Sequence, residues 1–202
     1  MQYSERLNNR FKGAIAQVNE MLAIHRYLNG SALDKLPDHL LRSSLMMAVS
    51  AVDTLVHEIV INAIIYEFIE RKNKFNINNI IIELNTFKAG DDIQLSLIEG
   101  NLRRQYAKQS FQSARQIEGA LASVGIKKIW SRLSSSLGQS PEEIKLRINV
   151  IVRRRNQIVH EGDLDLLHEL HEICRSDIED SIRFYKSLAA GLIHEFTATI
   201  CS

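Results

Sequence analysis

Arg155, Asn156 and His160 place three chemically distinct groups within six residues. Arginine carries a permanent charge on a fork of donors that suits phosphate. Histidine titrates near neutrality and suits proton transfer. Projection at about 100° per residue sorts the surrounding helix into faces. Ile144, Ile148, Ile151, Val152, Ile158 and Val159 fall on one arc, the expected core side. Arg155 falls in the middle of that arc, where an arginine is costly unless it is paired or lines a polar cleft. Beside the arc runs a polar stripe, Asn149, Arg153, Asn156 and His160, with spacings of four, three and four. Amide, guanidinium and imidazole on one line, flanked by a misplaced arginine, make a candidate phosphate-handling surface. A structural reading stands beside it. Arg155 would pair with an acid on the central helix, Asp53 or Glu58, and His160 would be a helix-end histidine favoured by the dipole.

The elements that position these residues announce themselves by their ends. Ser140-Pro141-Glu142-Glu143 is a strong helix start: serine accepts from free amides, proline is preset for the first position, and Glu143 reaches back. The helix is expected to reach about His160 or Glu161 and to stop at Gly162. Asp163 is expected to cap a following helix that continues toward Phe196, with a tight hinge between the two. Upstream, a helix from about Ser4 to Leu28 stops near Asn29-Gly30. Pro37 opens a long helix to about Arg71, with Leu41, Leu45, Ala48, Val52, Leu55, Ile59 and Ala63 at helical spacing. Residues 72–79 read as a polar loop, and 80–84 as either a short strand or a helical turn. Gly90 to Lys108, Ser113 to Val124 and Lys127 to Leu137 read as helices. Ser113 and Gln116 form a candidate capping box, and Gly125 a stop.

Two prolines and nine glycines in 202 residues favour helices over strands and turns. The expected fold is all-α, a helical bundle with a long central helix and additional short helices, in one domain over 1–202. Apolar residues are 45% of the chain and charged ones 24%, enough to bury a core. The first residues do not read as a signal peptide, and Asp53, His57, Glu58 and Asn62 argue against a membrane span in Leu45–Ile65. Cys174 and Cys201 lack metal or redox spacing, which fits a reducing, cytoplasmic setting. Net charge is +1, yet residues 101–155 hold twelve Lys and Arg against three Glu, and residues 156–202 three against nine Asp and Glu. Such a basic middle suits a polyanion, or it is simply solvated charge that interleaves in space. The same two readings hold for Arg103, Arg104, Lys108, Arg115, Lys127, Lys128 and Arg132. His168-Glu-Leu-His171 falls one residue short of a zinc-protease motif and has no third ligand, so no metal or cofactor is expected.

Arg155-Asn-Gln-Ile-Val-His160 resembles the Arg-x4-6-His signature of HEPN domains. The wider run Val152–Asp163, together with Ala51–Ile59, Ser110–Ile117 and Gly125–Trp130, resembles the RiboL-PSP-HEPN branch. The resemblance spans roughly residues 40 to 195. Residues 1–36 form an N-terminal helix without signature, and 37–200 the HEPN-like core. The resemblance implies a metal-independent ribonuclease that uses the RNA 2′-hydroxyl as nucleophile, with a toxin or anti-phage role and an antitoxin or other regulatory partner. It assigns proton transfer to His160, transition-state charge to Arg155 and positioning to Asn156. Asp53 and Glu58 are expected as supporting acids, and Arg153, Arg154 and Asn149 as RNA contacts. On a straight helix Arg155 and His160 point about 140° apart. Either the helix end bends, or a homodimer forms through the Arg155–His160 face, as is common in the resembled family. A non-catalytic module that binds nucleotide, RNA or protein, and a purely structural dimerisation domain, are the rival functions.

Overall fold

The computed structural model describes residues 2–29, 36–70 and 91–200, which form seven α-helices. They are α1 (Gln2–Leu28), α2 (Leu36–Glu70), α3 (Asp91–Tyr106), α4 (Ala114–Ser123), α5 (Ile129–Leu137), α6 (Pro141–His160) and α7 (Arg175–Ile200). The fold is all-α, and the only strand-like feature among the described residues is an isolated antiparallel bridge between Leu164 and Leu170. The loop expected at 72–79, the undecided stretch 80–84, Gly30 and Cys201 lie outside the described residues.

Local chemistry explains most boundaries. Ser113 and Ser140 each complete a capping box with Gln116 and Glu143, so free amides at the starts of α4 and α6 are satisfied by side chains. The backbone and hydroxyl of Ser140 both favour the ionised Glu143, whose carboxyl is held below its usual range. Pro141 occupies the first turn of α6. Gly125 (φ 85°) and Gly138 (φ 62°) turn the chain after α4 and α5 in the left-handed region.

α2 is the spine. It packs against α1, α3, α4, α6 and α7, while α5 fills the space beside α6 and α7. Its buried residues run almost without a break from Leu55 to Ile65, as expected of a helix surrounded on several sides. α2 is also long and apolar enough to cross a membrane, but 78% of its most apolar window is buried inside this protein. α1 lays Leu7, Phe11, Ile15, Val18 and Leu22 along the spine, spaced as one helical stripe. Close approach of α5 to α7 uses Gly191, where a Cβ would lie 2.6 Å from Leu133 Cδ2.

The expected tight hinge between the last two helices is corrected. Residues 161–174 form an irregular excursion, and α7 starts only at Arg175. Asp163 caps nothing; its side chain is drawn inward to two arginines instead. At the far end of the excursion, Arg175 donates to the Leu22 carbonyl (3.0 Å) and lies 3.2 Å from His25 Nδ1. Burial, and then the charge of Arg175, hold the His25 imidazole below its ordinary pKa.

One charged group joins the first three helices. Glu58 of α2 is 3% exposed. It receives Arg103 of α3 through Nη1 (2.5 Å) and Nη2 (3.1 Å), and Arg10 of α1 through Nη1 (2.7 Å). Burial alone would raise its pKa; the Arg103 hydrogen bonds and the charges of Arg103, Arg10 and Arg6 outweigh this and hold it down. A lowered folded value means that stability from Glu58 is complete above the ordinary carboxylate range. It is lost as pH falls through the folded value. Both arginines are partly solvated, so Glu58→Gln is expected to cost about 1–2 kcal/mol in urea unfolding at pH 7. The difference between the two proteins should shrink below pH 4; a constant difference would contradict this assignment.

Candidate active site at the end of α6

α6 buries Ile144, Ile148, Ile151 and Val152, as the arc requires. The apolar side does not continue to the C-terminus. Ile158 is only half-buried and Val159 is 42% exposed. Arg155 therefore lies where the core side opens toward solvent, and it is half-buried. Its Nη1 donates to Asn156 Oδ1 at 3.1 Å, and its Nε is buried without a partner. Among the described residues no carboxylate pairs with it, unlike Arg42, Arg103 and Arg154.

Neither acid expected to support Arg155 does so. Asp53 accepts from the Phe111 amide (2.7 Å) and from Gln112 Nε2 (3.1 Å), fixing the entry to α4. Glu58 is taken by Arg103 and Arg10. Asp53 also lies 3.5 Å from His57 Nδ1, and the His57 ring lies against the carbonyls of Asp53 and Tyr106. Asp53 faces the segment before α4, and Glu58 faces α3 and α1, so neither is turned toward Arg155 on α6.

The polar stripe divides by role. Asn149 Oδ1 accepts from the Ala114 amide at 3.1 Å, tying α6 to α4. Arg153 is exposed, Asn156 is half-buried against Arg155, and His160 is exposed as the last residue of the helix. Arg154, expected as an RNA contact, is corrected to a structural residue. Its guanidinium grips Asp163 through Nη1 and Nη2, and Nη2 also reaches the Glu172 carbonyl at 3.2 Å.

That grip is half of a clamp. Gly162 (φ 67°) turns the chain beyond α6, and the Asp163 amide returns to the Gln157 carbonyl at 3.1 Å. The Asp163 side chain is 1% exposed and also receives Arg42 Nε of α2 at 2.5 Å. Arg42 Nη2 continues to the His171 carbonyl at 2.5 Å. One buried carboxylate thus ties the spine, α6 and both sides of the excursion. Arg42 went unread in the sequence, though it carried the same signal as Arg155: it shares the buried face of α2 with Leu45 and Val49.

α6 stays helical to His160, and the Glu161 amide still bonds to the Gln157 carbonyl, four residues back, at 3.1 Å. No bend brings Arg155 and His160 together. One chain presents them as separate groups around a helix end, on directions about 140° apart. His168 and His171 are exposed on the excursion, and no group of three or more metal-type ligands occurs among the described residues.

A family model described as RiboL-PSP-HEPN matches residues 15–197, which takes in the second half of α1 as well as the motif. No curated protein and no solved structure matches the chain.

The geometry separates stability from the candidate chemistry. Asp163→Ala strands a buried guanidinium and is expected to cost about 3–5 kcal/mol in denaturant unfolding. Arg155→Ala removes a side chain with no acidic partner among the described residues and is expected to stay within about 1 kcal/mol of the parent. A large loss in Arg155→Ala would show that Arg155 is a structural residue after all.

Proposed function

The chain belongs to the RiboL-PSP-HEPN family, and on that premise we propose that it is a metal-independent endoribonuclease acting through Arg155, Asn156 and His160. The observation that carries this reading is the state of Arg155. A half-buried guanidinium that meets no carboxylate among the described residues, next to an amide and within two turns of an exposed imidazole, leaves charge available for a phosphate.

The chemistry follows from what each group can do. A base removes the proton of the RNA 2′-hydroxyl, and the oxygen attacks the adjacent phosphorus. The bond to the 5′-oxygen breaks, the leaving oxygen takes a proton, and a 2′,3′-cyclic phosphate remains. His160 serves in proton transfer. Arg155 stabilises the charge that builds on the phosphorane, and Asn156 orients the phosphate or the hydroxyl. One chain supplies a single imidazole directed away from its own arginine. A twofold contact through the end of α6 would bring two of each to one phosphate, so the active form is a homodimer. Val159 and Leu164 (41% exposed), with Leu166 and Leu167 (100% and 79% exposed), supply apolar surface around His160 in the chain that such a contact could cover. Cleavage of this kind would harm the host, which fits a cytoplasmic toxin or anti-phage effector held in check by an antitoxin or other regulatory partner.

Purified protein incubated with RNA in EDTA is expected to cut it, leaving cyclic phosphate ends. Arg155→Ala and His160→Ala should each lower the rate by about 10²-fold or more. Two histidines acting as acid and base predict a bell-shaped pH profile. Equal cleavage by all three proteins would sink the assignment, and binding without cleavage would favour a non-catalytic RNA-binding module.

A further inference from the structure

A polar cleft opens where the end of α5 meets α6 and the first half of α7, and the motif makes no use of it. Its two cations come from different helices. Arg147 of α6 lies with its guanidinium carbon 4.6 Å from the centre of the Phe184 ring and makes only a long contact, 3.4 Å, to the Asp180 carbonyl. The ring face holds the guanidinium without consuming its donors. Arg183 of α7 lies across the cleft, bonded to Asp180 one turn back, and is 66% exposed. The cleft thus carries two guanidinium groups against one carboxylate. Ser136 and Ser187 add hydroxyls to its wall. Gln139 lines it as well, with an amide oxygen that is buried and lacks any hydrogen-bond partner. The terminal torsion of glutamine is soft, so a small rotation turns that amide toward an incoming group.

We infer that this cleft binds a phosphate and its neighbouring ribose from the same RNA strand, away from the bond that is cut. The inference rests on RNA being the ligand of the protein. The two arginines would take the phosphate oxygens. Gln139 asks for a donor, which a ribose hydroxyl beside the phosphate supplies and a bare phosphate supplies less well. Arg147 and Arg155 share α6 at a separation of eight residues, about 12 Å along the axis. That distance lies within reach of one short strand, so the cleft would set how RNA is gripped rather than how it is cut.

The test uses the full chain carrying Arg155→Ala, so that labelled RNA survives, and measures binding by fluorescence anisotropy across a salt series. Adding Arg147→Ala or Arg183→Ala is expected to weaken binding about fivefold each and to reduce the salt slope by about one. Arg147→Lys, which keeps the charge, should retain the slope. Gln139→Leu should narrow the preference for RNA over DNA of the same sequence. Unchanged RNA affinity and slope in the double arginine variant would overturn the inference. So would binding of adenosine monophosphate or inorganic phosphate that the double variant abolishes while RNA binding stays intact. If the unmodified protein binds RNA through the cleft but never cuts it, the inference stands and the ribonuclease reading falls.

Discussion

A carboxylate shared by two arginines at the turn after α6 governs the rest of the site. Asp163 is buried, and an ionised carboxylate in that position is tolerable only when its charge and lone pairs are met. Arg42 reaches it from the spine and Arg154 from α6 itself. Because both arginines also bond to carbonyls of the excursion, the loop beyond His160 is held against the bundle by charge-assisted hydrogen bonds. The last turn of α6 is fixed from both sides, and His160 is displayed at a defined edge.

This arrangement divides three consecutive arginines among three tasks. Arg153 points to solvent, Arg154 is spent on the clamp, and Arg155 meets no acid among the described residues. Neighbours on a helix diverge by about 100°, so adjacent residues of one type meet different environments. The difference matters for function: a guanidinium already bonded to a carboxylate has little to offer a phosphate, whereas an unpaired one at the rim of the core does.

Much of the fold was legible because its determinants are local. Capping serines, Pro141 and the spacing of apolar residues gave the boundaries of α4, α6 and the spine to within a few residues. The suspicion attached to Arg155 was also local, since it came from a break in a periodic face. What failed was long-range. Asp163 meets Arg42 across 121 positions, and no spacing rule couples residues so far apart. Its expected role as a cap followed from an aspartate after a glycine, a sensible local signal that tertiary pairing overrode. Asp53 and Glu58 were picked out as acids of the central helix that could meet Arg155, but which helix each would face depended on how α1, α3 and α4 pack, and pattern alone does not contain that.

The proposed catalysis turns on whether two chains complete one site. α6 keeps Arg155 and His160 apart within a chain, so a single copy cannot supply acid, base and charge together at one phosphate. The most direct measurement is a crystal structure with RNA that carries a 2′-O-methyl group at the cleavage position and so stays intact. The expected result is a dimer in which His160 of each subunit lies within hydrogen-bond reach, about 3 Å, of one scissile phosphate, with Arg155 on its oxygens. A monomer that holds the scissile phosphate away from His160, or a dimer whose two motifs face apart, would contradict it.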